Sequence, residues 1–467
     1  MPSRQDQLHS YQFMVQRVVG ALVMRETDPA QSPFRRAAGA TMASVLVALI
    51  AIGGSVVYGL FVGGGATKWK DPNVVIVEKE SGAQYVYLDE KLRPVLNYTS
   101  AVLVAGGGST QPKTVSVSRK SLENVPRGVP IGIPDAPDSL APANRLINGG
   151  WTICSSPRSG SGSPPPQSAL LIGGEARGGT TMREEALLAT HPNGSLYLIW
   201  HNRRHLIRDR ELVINALGWS GQRQVAVAPA LLNALPSGAD LARVPISGAG
   251  QPSQLLPDAQ IGDVYFVEPQ GGVRQYAVLK QDGLANITEL QANLLVTDLG
   301  QQNKPEEIPQ GTYANTRKAN DLLPPDEAAP PATIPKIVAS ESSVVCADVP
   351  DDSGVRTVRV GAELPDLTNV PQTTARSPEG AGLADRVLVT PGRGVLVEAA
   401  AAPGATGGAI SIVTDLGRRH AVVSADLLGA LGYGGVRPKR MPANLVSLIP
   451  GGPALDPEAA RNAVGQQ

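Results

Sequence analysis

Residues 37–67 read AAGATMASVLVALIAIGGSVVYGLFVGGGAT, 31 consecutive positions without a charge, bounded by Arg35-Arg36 on one side and Lys68 on the other. An apolar helix of about 25 residues fits within this stretch, long enough for a hydrocarbon layer of roughly 30 Å. A cleaved signal peptide has a short charged region and an apolar run of only about 7–15 residues. Here 36 residues precede the run, so it reads as a retained transmembrane helix.

Outward on the N-terminal side, Arg4, Arg17, Arg25, Arg35 and Arg36 outnumber Asp6, Glu26 and Asp28. Basic flanks stay in the cytoplasm, which directs the N-terminus inward and sends the rest of the chain across the membrane. The far side of the membrane offers an oxidising compartment. Cys154 and Cys346 are the two cysteines of the chain, with no clustered histidines around them. A disulfide between them is the expectation, and the loop-entropy relation gives about 5 kcal/mol for a separation of this length.

Leu8, Tyr11, Val15, Val18 and Leu22 recur every three or four residues, with Met14 and Val19 widening the face. This spacing predicts an amphipathic helix over residues 6–26. An isolated helix of that kind is marginal in water, so the stripe is expected to bind a partner protein. Asp28-Pro29 ends the helix and Ser32-Pro33 forms a hinge.

Beyond the span, one phrase recurs four times: a short alternating strand, a polar turn, a second strand, then an apolar helical run. Gln84-Tyr85-Val86-Tyr87-Leu88 precedes Leu92-Arg93-Pro94-Val95, and Ser195-Leu196-Tyr197-Leu198-Ile199 precedes Arg203-Arg204-His205-Leu206-Ile207. Gln275-Tyr276-Ala277-Val278-Leu279 precedes Leu284-Ala285-Asn286-Ile287, and Ala409-Ile410-Ser411-Ile412-Val413 precedes Arg419-His420-Ala421-Val422. The helical runs of the second and fourth copies end alike, in Leu217-Gly218-Trp219 and Leu431-Gly432-Tyr433. These are divergent hairpin-plus-helix repeats, irregularly spaced and so unlike a solenoid.

The fold class that follows is a single-pass membrane protein with a β-rich α+β extracytoplasmic region, built as a central β domain and four divergent hairpin/helix repeats. The cytosolic arm takes residues 1–36, the span 37–67 and the first repeat 68–128. A central-domain segment and loop occupy 129–167, and the second and third repeats 168–260 and 261–335. A second central-domain segment, carrying Val355 to Val360 and Gly394 to Val397 as strands, takes 336–404. The fourth repeat covers 405–437, and a Pro/Gly-rich tail, 438–467, either packs along the repeats or stays free.

Equal totals of 41 basic and 41 acidic residues advertise no nucleic-acid surface. No G-x-x-x-x-G-K-[ST] loop is present, and Gly106-Gly107-Gly108-Ser109-Thr110 lacks the lysine that would meet phosphates. There is no G-x-S-x-G elbow and no H-E-x-x-H. His201 and His205 straddle a hairpin turn beside Arg203 and Arg204, a poor setting for a cation. Catalytic, metal and cofactor residues are therefore expected to be none. Two other classes remain as alternatives: a membrane-anchored cell-wall-binding module and a nucleotide hydrolase.

The opening from Pro2-Ser3-Arg4-Gln5-Asp6-Gln7-Leu8-His9-Ser10-Tyr11-Gln12-Phe13 through Arg17-Val18-Val19-Gly20-Ala21-Leu22-Val23, then Pro33-Phe34-Arg35-Arg36 and the span, resembles the EccB family. These are membrane subunits of the actinobacterial ESX, or type VII, secretion system. The resemblance covers nearly the whole chain, including the cysteine pair and the external repeats. It implies a structural subunit in the bacterial inner membrane, with its large C-terminal region periplasmic. The implied partners are EccC-, EccD- and EccE-type subunits, further EccB copies, the lipid bilayer and the cell wall. The arm is then expected to meet EccC.

Overall fold

The computed structural model describes residues 3–24, 33–61, 68–107, 110–158, 164–269, 272–299, 305–323, 328–374, 376–377, 380 and 382–464. These fall into two compact units, residues 1–71 with 117–124, and residues 72–116 with 125–467. The expected turn at Gly108-Ser109, the loop glycines of 159–163 and the hinge at 28–32 lie outside the described residues.

In the first unit, α1 (Arg4–Met24) begins where Ser3 and Asp6 cap each other. The Ser3 Oγ accepts the Asp6 N–H at 3.3 Å, while the Asp6 carboxylate accepts the Ser3 N–H at 3.1 Å. Two donors of the open helix end are thereby satisfied. The second helix, α2 (Pro33–Phe61), contains the apolar run Ala38–Val57. It is the single helix among the described residues long and apolar enough to cross a membrane.

The second unit begins with β1 (Val74–Glu78), β2 (Gln84–Leu88), β3 (Lys91–Pro94), α3 (Tyr98–Ala105) and β4 (Lys113–Val117), followed along the chain by α4 (Arg119–Leu122). Then come β5 (Trp151–Ser156), β6 (Gln167–Ile172) and β7 (Thr180–Thr181). A second set has β8 (Leu187–Thr190), β9 (Leu196–Trp200), β10 (Arg203–Ile207), α5 (Arg210–Ala216), β11 (Gln224–Ala226) and α6 (Pro229–Ala234). A third has β12 (Val264–Val267), β13 (Gln275–Lys280), β14 (Gly283–Ile287), α7 (Glu289–Asp298), β15 (Glu306–Glu307) and α8 (Gln310–Asn315). After β16 (Val345–Val349), β17 (Thr357–Val360) and β18 (Arg386–Val389), the chain forms β19 (Val395–Ala400), β20 (Ile410–Val413), β21 (Arg419–Ala421), α9 (Leu427–Ala430), β22 (Lys439–Pro442), α10 (Ala443–Val446) and α11 (Pro457–Arg461).

Four sheets share one strand order: β3-β2-β1-β4, β10-β9-β8-β11, β14-β13-β12-β15 and β21-β20-β19-β22. In the last three, the final strand runs parallel to the first. A parallel return needs a crossover, which α5, α7 and α9 supply. The Gly394–Val397 stretch differs from expectation. Val395–Ala400 pairs with β20 and β22 in the fourth sheet and not in the central one. Residues 438–467 likewise contribute β22, α10 and α11, so the described part of the tail is packed structure.

The central sheet has the order β18-β6-β5-β16-β17-β7. β5 is buried along its whole length. One face, carrying Trp151 and Ile153, packs with residues of α6 and α10, including Leu231, Leu232, Leu445 and Val446. Cys154 points to the other face, among Ala169, Leu171, Ala362 and Cys346. The first and fourth sheets share a core in which Val86 and Leu103 meet Leu396 and Leu428. The second sheet's Val213 and Leu217 pack in one cluster with Leu290 and Leu294 of α7.

Each of the four sheets would expose the edge of its third strand, an aggregation hazard if left unpaired. A short extended segment covers it in every case, and we call this a strap. Parallel bridges join Leu92 to Arg127, Arg204 to Ser237, Leu284 to Lys318 and Arg419 to Gly451. The Leu92, Arg204, Leu284 and Arg419 amides donate to Pro126, Pro236, Arg317 and Pro450 at 2.8–3.0 Å. Where strap and strand cross, a large side chain lies against glycine: Arg93 on Gly128, His205 on Gly238 and His420 on Gly452. In the third sheet Ala285 and Ala319 take these places, packed in one cluster.

A methyl group at Gly238 or Gly452 would sit 2.2 or 2.3 Å from an imidazole carbon. We predict that Gly238→Ala and Gly452→Ala each destabilise the chain by about 1–3 kcal/mol in thermal or urea unfolding. Gly311→Ala, in α8 with nothing within 4 Å, is expected to be neutral or stabilising by up to about 1 kcal/mol.

Candidate functional site

Leu8, Tyr11, Val15, Val18 and Leu22 all lie on α1 and all are exposed; Val15, the least so, is 43% accessible. Phe13 and Met14 are exposed as well, so the apolar surface is broader than the five-residue stripe and the helix is less sharply two-faced. Among the α1 residues whose burial is described, Gly20 alone is buried. The chain therefore carries a helix next to its membrane span with large apolar groups directed away from its own core.

Within the span, every described hydroxyl is satisfied along the helix. Thr41 Oγ1 donates to Ala38 O at 3.0 Å, Ser44 Oγ to Ala40 O at 2.6 Å and Ser55 Oγ to Ala51 O at 2.7 Å. Local satisfaction removes the cost of carrying a polar side chain into hydrocarbon. The twenty residues of Ala38–Val57 rise about 30 Å, which matches the bilayer core.

On the large unit, Cys154 of β5 faces Cys346 of β16 in register, and the two form a disulfide with S–S 2.08 Å and Cα–Cα 4.0 Å. Both are fully buried. Two positions along β16, Asp348 accepts from Arg359 Nε at 2.8 Å and Nη2 at 2.9 Å, from Thr152 Oγ1 at 2.8 Å and from Thr357 Oγ1 at 2.9 Å. Burial opposes ionisation of this carboxyl, yet the Arg359 guanidinium and the two hydroxyls outweigh it and hold the group below the ordinary carboxylate range. Arg359 Nη1 donates onward to Ala176 O at 3.1 Å and Gly178 O at 2.7 Å. The ion pair thus ties β16 and β17 to the segment between β6 and β7.

A second tie links β6 to the segment before β18. Asp385 accepts from Ser168 N at 2.8 Å, Ser168 Oγ at 2.6 Å and Arg158 Nη2 at 3.3 Å. The partners in these two networks stand up to 227 positions apart in the chain, so local sequence patterns had no means of pairing them. The straps were a different omission. Val125-Pro126-Arg127-Gly128, Leu235-Pro236-Ser237-Gly238 and Ile449-Pro450-Gly451-Gly452 carry a shared aliphatic-Pro-x-Gly signal.

Among the described residues, no group of three His, Cys, Asp or Glu side chains is placed to hold a metal ion. His201 lies in the β9–β10 turn, stacked on Trp200 at 3.7 Å, with Nε2 3.2 Å from Glu184. His205, on β10, is buried and faces the strap. A cavity of about 600 Å³ beside the third sheet is lined by Arg274, Tyr276, Asn286, Glu289 and Tyr313, among others. Three of these side chains are engaged locally: Arg274 with Glu268, and Asn286 with Asp321 and Tyr313.

One helix of membrane-crossing length among the described residues, a basic N-terminal arm and a disulfide-stapled β-rich region are consistent with a single-pass inner-membrane protein with its bulk in the periplasm. The chain belongs to the family described as type VII secretion system ESX-1, transport TM domain B, which matches residues 1–466. It is similar to the ESX-3 secretion system ATPase EccB3 of Mycolicibacterium smegmatis, with 28% identity over 96% of this chain and 88% of that one. Among solved structures it resembles a chain of an intact ESX-5 inner membrane complex, with TM-score 0.66, 25% identity and coverage of 100% and 96% of the two chains. It also resembles an EccB3 dimer from the ESX-3 core complex, with TM-score 0.63, 28% identity and coverage of 83% and 100%.

Replacing Asp348 with Asn leaves the Arg359 cation without its counter-charge, and we predict a loss of about 2–4 kcal/mol in urea unfolding at neutral pH. The carboxyl's pKa is lowered on folding, so its contribution is present above the ordinary carboxylate range and disappears as pH falls through the lowered value. The Asp348→Asn chain should therefore show a shallower loss of stability between neutral pH and about pH 3 than the natural one.

Proposed function

We propose that this subunit acts as a non-enzymatic scaffold, coupling a motor-facing arm inside the cell to a periplasmic assembly outside it. As a member of its family, the chain is a structural subunit of an assembled ESX-type inner-membrane complex. The arm's apolar residues supply the observation that carries the rest. Leu8, Tyr11, Val15, Val18 and Leu22 are exposed immediately before a membrane span. Confinement beside one bilayer raises the effective concentration of neighbouring subunits, so modest contacts suffice there. The partners we assign are EccC-, EccD- and EccE-type subunits, with EccC on the arm, and further EccB copies, as in the solved dimer of a relative.

We read the four like-ordered sheets as divergent copies of one unit arranged about the central sheet. Their common strand order and common strap support this reading. The curated relative bears the word ATPase in its name. We do not carry that activity over, because the sequence contains no lysine-bearing phosphate loop.

Val15→Asp with Val18→Asp places two charges on the arm while leaving the periplasmic unit untouched. We predict that recovery of the other complex subunits from gently solubilised membranes falls by at least about tenfold, as it would for a loss of about 1.4 kcal/mol or more. Unchanged recovery would remove this face from the assembly. ATP turnover by the purified natural chain, abolished by a single substitution in it, would overturn the non-enzymatic reading.

A further inference from the structure

We infer that the straps of the second and fourth sheets, residues 236–241 and 450–455, are acid-sensitive latches held closed by neutral His205 and His420. Both imidazoles lie at the crossing of strap and third strand, and both are buried, at 0% and 2% accessible. His205 Nδ1 is 2.8 Å from Ala239 O and His420 Nδ1 is 3.1 Å from Pro453 O. A carbonyl can only accept, so each Nδ1 donates. Gly238 and Gly452 have no spare room over the rings, so each ring is clamped between strand and strap.

At His205 a second proton has nowhere to go. His205 Nε2 is buried without a hydrogen-bond partner, and protonation would add a charge and an unpaired donor there. The charges acting on His205 are Arg203 and His201 from the hairpin and Asp240 from the strap; Asp240 is already paired with Arg208. On His420 the acting charge is Arg418, of the same sign as the protonated ring. Burial pushes both histidines below their ordinary value, the carbonyl hydrogen bonds oppose this in part, and the arginines add to it.

The sign follows from linkage. Above about pH 6.5 an exposed histidine is neutral and the closed strap bears no penalty. Below it, the open state takes up a proton that the closed state refuses, so opening gains up to about tenfold per pH unit for each histidine. An opened strap frees the backbone edge of β10 or β21, whose amides and carbonyls now bond to the strap at Arg204 and Arg419. A free edge of that kind is a template for another extended chain.

The protein carries its own control. The straps of the first and third sheets make the same backbone bonds but oppose Arg93 and Ala285 in place of an imidazole. Amide hydrogen exchange of the detergent-solubilised full chain, corrected for intrinsic rates, should be compared at about pH 7.5 and about pH 5.5. We expect protection at Gly238, Leu241, Gly452 and Leu455 to fall severalfold, up to about tenfold, and protection at Gly128, Ile131, Ala319 and Leu322 to change by less than about twofold. His205→Gln with His420→Gln should abolish the difference. If that variant does not fold, the comparison of straps within the natural chain still decides. Equal responses in all four straps, or unchanged protection in the second and fourth, would overturn the proposal.

Discussion

The pairing of β5 with β16 is the contact on which the rest of the periplasmic unit hangs. It brings together segments separated by 192 positions and fixes Cys154 opposite Cys346. The second and third sheets then form an excursion between the two paired strands, while the first and fourth lie outside the loop and share a core. A pairing this distant carries a large loop-closure cost, and a covalent staple removes that cost by restricting the unfolded chain. Asp348 and Arg359 hold the adjoining register, so the sheet is tied by a bond and an ion pair on neighbouring positions.

The four smaller sheets meet a common physical demand by a common plan. Three short antiparallel strands leave two open edges, and the chain returns after a helix to place its fourth strand on one of them. The strap then covers the edge left open, and in the first, second and fourth sheets its glycine lets the backbone run close to a side chain on the third strand. Glycine is used for space at Gly238 and Gly452. At the hairpin turns the structure instead tolerates Asp89-Glu90 and His201-Asn202 at positive φ, the geometry a two-residue turn between twisted strands prefers.

How much of this could be read from sequence depended on how local each signal was. The span, the arm helix and the four hairpins are encoded by neighbours within a few residues, and α2, α1 and the pairs from β2-β3 to β20-β21 lie where the patterns placed them. The parallel strands are too short to announce themselves: β15 is Glu306–Glu307, two exposed residues with no alternation to detect. Val395–Ala400 reads equally well as a strand of either sheet, because buried strands of both share the same aliphatic composition; only its partners decide. The arm's five residues and the widening at Met14 were legible as a stripe, but Phe13 broadens it further in a way that a three-and-four count misses.

Membrane crossing and cysteine chemistry are two readings of one fact, since a disulfide persists only where the compartment is oxidising. The most direct test is differential alkylation of intact membranes, with a thiol blocker applied before and a second label after reduction, followed by mass spectrometry of the Cys154 and Cys346 peptides. The account predicts that both cysteines take only the second label and appear as one linked peptide before reduction. Both peptides carrying the first label would contradict it, and would place the β-rich region on the reducing side of the membrane.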